Sequence, residues 1–147
     1  MRRVSAAAML IAGLMAAGCG KSPAETTPAG RVHAMARHSS EGKVNEYIDC
    51  FTGQLRADLE QTRDQMKPEA FAELLRRRSA PVRGIAISEQ TQPDENTARM
   101  KVEWIFEDRN EAQYFTLVKV NGDWKISDMS NSQYNKPEIP YGTRVFE

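Results

Sequence analysis

The chain has 147 residues, 40% apolar and 27% charged, with 20 basic and 20 acidic side chains and a formal net charge of zero. That composition suits one folded domain and excludes an intrinsically disordered chain. Removal of an export segment carrying Arg2 and Arg3 leaves 18 basic against 20 acidic groups, a net charge of −2; nucleic acid is excluded as a partner, because its binders carry a basic excess to neutralise phosphates.

Met1, Arg2 and Arg3 form a positive start, residues 4–17 are apolar, and Ala16, Ala17 and Gly18 bring small residues up to Cys19. This order predicts a signal peptide over residues 1–18, since the apolar run is shorter than the roughly 20 residues of a spanning helix. The Ala16-Ala17-Gly18-Cys19 run resembles the bacterial lipobox, with Ala16 where that pattern prefers Leu. The resemblance implies a diacylglycerol thioether and an N-acyl chain on Cys19, a membrane partner held through that lipid, and a place in the cell envelope on the periplasmic or outer-membrane side. Gly20 replaces the Asp that marks inner-membrane retention in some bacteria, which tilts the reading to the outer membrane. Residues 19–30, rich in Gly, Pro, Ser and Thr, read as the lipidated cysteine and a flexible tether.

A domain is expected over residues 31–132. Thr27 and Pro28 have the chemistry of a helix start, and Val32, Met35 and Ala36 give a short apolar stripe before Gly42. Val44, Tyr47, Ile48 and Phe51 recur with helical spacing. A third helix carries Leu55, Leu59, Thr62 and Met66 on one side, and Pro68 starts a fourth with Phe71, Leu74 and Leu75. The basic run Arg76, Arg77 and Arg78 lies where that helix ends, and cations there complement its dipole; this reading is favoured over a patch for phosphate or anionic lipid.

After Pro81 the apolar period changes from 3.6 to 2. Residues 82–87 read as a strand and residues 90–96 as a polar turn. Met100, Val102, Trp104 and Phe106 then alternate with polar neighbours as in a half-buried antiparallel strand. A hairpin loop at residues 108–111 would set Trp104 opposite Phe115, and a two-residue turn at Asn121-Gly122 would set Lys119 opposite Trp124 and Leu117 opposite Ile126. Both registers agree on one apolar face. Residues 133–147 read as an extended tail.

Helices first, then a meander closing in Lys119-Val120-Asn121-Gly122-Asp123-Trp124-Lys125-Ile126, resemble the nuclear-transport-factor-2-like superfamily over residues 31–129. The resemblance implies an α+β fold in which a curved antiparallel meander wraps the helices into a cone. It also implies either a binding module for a small ligand or a protein partner, or an enzyme of ketosteroid-isomerase or polyketide-cyclase type working in the cone. The residues favour the non-catalytic module.

Candidate pocket residues are Tyr47, Trp104, Phe115, Trp124 and Asp128; no catalytic residue is assigned, and neither a metal nor a cofactor is implied. Asp128, placed by the register on the apolar face opposite Phe115, would be the base of an enzyme with Tyr47 beside it. The residues favour the alternative in which Asp128 is wet and the cone is filled by Trp104, Phe106, Trp124 and their neighbours. His33 and His38 are five residues apart, about 140° around a helix, and do not share a metal. Asp49 points away from the apolar stripe and is expected to be solvated; Cys50 is expected to be a buried, inert thiol. Ile105, Tyr114, Val118 and Val120 on the outer face are compatible with a homodimer.

Overall fold

The structure, a computed structural model, describes residues 23–135. The expected signal peptide, the expected lipidation site Cys19 and the chain from residue 136 onward lie outside the described residues. Much of the expected tether is ordered chain: Pro23–Thr26 makes one 3-10 turn, and Pro28 opens helix α1 (Pro28–Glu41). The cause is local. Thr27 is extended and its hydroxyl accepts the Gly30 N–H at 3.0 Å, while Pro28 pre-sets the first helical φ. At the far end Gly42 takes φ +69°, its N–H reaches Ser39 O, and the Lys43 N–H reaches His38 O, a Schellman closure.

Helices α2 (Val44–Asp49), α3 (Gly53–Gln65) and α4 (Pro68–Ser79) follow, with Ile48, Phe71 and Leu75 buried where α2 meets α4. α1 is fastened to α4 by the paired hydroxyls of Ser39 and Ser79, 2.7 Å apart. Between α2 and α3, Phe51 forms a parallel bridge to Ile126, with Thr52 N–H donating to Ile126 O and Ile126 N–H donating to Cys50 O.

The sheet is five-stranded, antiparallel and open. β1 (Gly84–Asp94), β2 (Thr97–Ile105), β3 (Asn110–Val120) and β4 (Asp123–Met129) form a meander, and β5 (Gln133–Asn135) pairs with the start of β3. β5 falls in the expected tail. β1 runs well past residue 87, through most of the expected turn, because the ladder to β2 supplies backbone partners that a side-chain pattern does not reveal.

The closing hairpin has the expected register, Lys119 opposite Trp124 and Leu117 opposite Ile126, with both turn residues at positive φ as an Asn-Gly type I′ turn requires. The β2–β3 hairpin differs. Its loop is residues 106–109, so Met100, not Trp104, faces Phe115, and Trp104 faces Glu111. Phe106 leaves the strand, donates its N–H to Arg109 O, and lies under the Arg109 guanidinium at 4.0 Å. The slip moves each partner by four positions, an even number, so every side chain keeps its face.

Inward side chains of β2, β3 and β4 meet α1 and the Phe51 segment in a core that includes Val32, Phe51, Met100, Phe115, Leu117 and Ile126. On the outer face Tyr114 and Val120 are exposed.

Candidate functional site

The helices do not cover the inner sheet face completely. A cleft of about 720 Å³ lies between α1, the end of α4 and the inner side of β1, β2 and β3, where a filled interior was expected. Trp104 is only half-buried because it lies in this gap, beside Ile85 on the next strand. Phe115 and Met129 complete an apolar lining on the sheet side, and Met35 adds to it from α1.

Polar groups enter at defined places. The Trp104 indole N–H donates to Gln113 Oε1 at 3.0 Å, and the Gln113 amide donates to Ser130 O at 3.1 Å. Glu111 lines the cleft but is held by Arg109 Nε at 2.7 Å and by the Ser132 hydroxyl at 3.3 Å. Tyr47 stacks edge-on against Phe51, ring centres 5.1 Å apart, and its hydroxyl makes no hydrogen bond among the described residues. Burial pushes that hydroxyl up to about 12, against the pull of the Arg78 guanidinium, so it is a donor at neutral pH.

Arg37 and Arg78 line the cleft from the helices and Arg83 from the segment that leads into β1. Arg37 pairs with Glu25, and Arg83 lies 3.5 Å from Glu107. Arg78 has no carboxylate partner among the described residues.

No family model matches the chain, and no curated protein matches it. Among solved structures, the chain is similar to the solution structure of a SEC-C motif containing protein from Rhodopseudomonas palustris. The two share 7% identity with a TM-score of 0.51, over 72% of this chain and 79% of that one. The likeness is one of fold.

Of the five candidate pocket residues, Tyr47, Trp104 and Phe115 line the cleft. Trp124 is buried in the core, under the Lys119 ammonium at 5.0 Å. Asp128 is not on the inner face. A bulge at Ser127 lets Asp128 pair with Thr116 and sends its side chain outward, exposed, while Met129 takes the inward place opposite Phe115. The carboxylate proposed as a base is thus on the wrong side of the sheet from Tyr47.

Asp49 is half-exposed but not merely solvated: Lys125 Nζ donates to its carboxylate at 2.9 Å and Arg56 at 3.1 Å. Burial alone would raise its titration, yet these two hydrogen bonds prevail and hold it below the usual carboxylate range. Cys50 is fully buried and burial pushes its thiol up, opposed by Arg31, whose Nη1 lies 3.9 Å from the sulfur. His33 lies on the cleft and is exposed. Burial, with Arg37 beside it, lowers His38.

Glu111, Gln113 and Arg78 escaped the sequence reading. The expected hairpin loop at residues 108–111 takes in Glu111, although Glu111, Gln113, Phe115 and Leu117 alternate as one strand face. For Arg78 the sequence favours the cationic end of a helix over a patch for phosphate or anionic lipid, and it gives no sign that the side chain lines a cleft.

Proposed function

We propose that the chain is a lipid-anchored, extracytoplasmic binding module that takes a small ligand in the cleft between its helices and its sheet, with a nuclear-transport-factor-2-like cone as its scaffold. The observation that carries the reading is the cleft itself: about 720 Å³, apolar along the sheet, with a few placed polar groups, the usual make-up of a small-molecule site. The lipobox-like run before Cys19 supports the anchor. The alternative, an isomerase or cyclase, would need a free carboxylate facing Tyr47. Asp128 faces outward and Glu111 is held by Arg109 and Ser132, so the binding module is preferred.

Two measurements test this. Expression of the full chain in bacteria fed an alkyne fatty acid should label it, and Cys19→Ser should abolish the label; equal labelling of both would remove the anchor. With the full chain in phosphatidylcholine nanodiscs, an ω-brominated octyl amphiphile should quench Trp104. No quenching by an anionic, neutral or cationic member of that series would remove the binding site.

A further inference from the structure

Resting on the cleft as a binding site, we infer that its ligand is an amphipathic organic anion, a carboxylate on an apolar body, with the head at Arg78 and Tyr47 and the body along Trp104, Phe115 and Met129. The charge distribution chooses the sign. Three guanidinium groups line the cleft against one carboxylate, Glu111, and that carboxylate is already occupied by Arg109. Arg37 and Arg83 have acidic partners of their own. Of the three guanidiniums lining the cleft, the exposed Arg78 is therefore the one without an acidic partner among the described residues. A cationic ligand would meet net repulsion, and a neutral one would leave that guanidinium unused.

Chemistry at the same place agrees. Arg78 and Tyr47 both line the cleft, and the Tyr47 hydroxyl feels the guanidinium's charge, stays protonated and has no partner among the described residues. A guanidinium and a free hydroxyl lining one cleft are donors of the kind a carboxylate accepts from. The remaining surface asks for an apolar body: Met35 and Met129 are thioethers that adapt to irregular shapes, and Trp104 offers a half-buried indole whose N–H is already satisfied by Gln113.

The test uses the full chain in phosphatidylcholine nanodiscs and compares ω-brominated octanoate, octanol and octyltrimethylammonium at matched free concentrations, with Trp104 quenching as the reading. Octanoate should bind about tenfold or more tighter than octanol, the ratio expected of charge-assisted hydrogen bonds. Arg78→Gln should lower octanoate affinity about tenfold and leave octanol unchanged, and Arg78→Lys should recover part of the loss. Equal binding of octanoate and octanol, or strongest binding of the cation, would overturn the anionic ligand while leaving the cleft a binding site. Failure of all three to quench would overturn the site as well. Because the comparison among ligands uses the unmodified chain, it decides the question even if an Arg78 variant does not fold.

Discussion

Replacing Asp49 by Ala tests how the fold tolerates a nearly buried ammonium. The Lys125 side chain is 10% exposed and its Nζ reaches both the Asp49 carboxylate and the Asp49 carbonyl, whereas the Asp49 side chain is 53% exposed. Breaking a fully buried pair costs about 3–5 kcal/mol, and losing an exposed one costs about 0–1 kcal/mol. With one partner buried and the other half in water, Asp49→Ala should cost about 2 kcal/mol. Lys125→Met removes the charge that needs a partner while keeping the volume, and should cost less than about 1 kcal/mol. In the Lys125→Met background, Asp49→Ala should then cost almost nothing. Urea unfolding followed by tryptophan fluorescence measures all three. The pH dependence has a definite sign. Burial raises Asp49, but the hydrogen bonds from Lys125 and Arg56 outweigh it, so the folded carboxyl titrates below the unfolded one. Its contribution is present above the ordinary carboxylate range and is lost as pH falls through the lowered value, so the wild-type and Asp49→Ala stabilities should converge in acid. A Lys125→Met variant more damaged than Asp49→Ala would refute the reasoning.

Ile126 has no exposed surface, and Ile126→Ala should cost about 3–4 kcal/mol in the same unfolding assay; a loss below about 1.5 kcal/mol would mean that the site collapses freely. Gly42→Ala should cost about 1–2 kcal/mol, because an L-residue is strained at φ +69°, and adding Arg76→Ala should recover little since that side chain can swing away from the new methyl. In an ultraviolet titration Tyr47 should ionise near pH 12, and Tyr47→Phe should remove that late phase. Between the ordinary tyrosine value of 10.0 and about 12 the unfolded chain loses this proton and the folded one keeps it, so stability should fall as pH rises across that window.

The fold was legible where side-chain chemistry and backbone demand coincide. Asn121-Gly122 supplies two positive-φ residues between apolar alternations, and that hairpin has its expected register. The neighbouring loop has no such residue to mark it. Arg109 and Phe106 settle it through a contact across the turn, and only parity survived, which was enough to keep the faces right. Asp128 was misplaced because a single bulge residue, Ser127, resets the alternation and leaves no mark in hydropathy. The cleft itself was illegible, since a gap depends on how far α1 and α4 stand from the sheet, and local periodicity carries no such distance.

The bridge from Phe51 to Ile126 covers part of one flank of the sheet with the chain's own backbone. β1 is the other flank, and its pairing slips after Ser88 and again after Thr91, with Glu89 at φ +51°. A stray strand arriving there would find regular ladder positions only over a short stretch and then a kink, so copies packed side by side are poorly equipped to zip into a continuous sheet. Where copies are concentrated, that irregular border is a safeguard against aggregation.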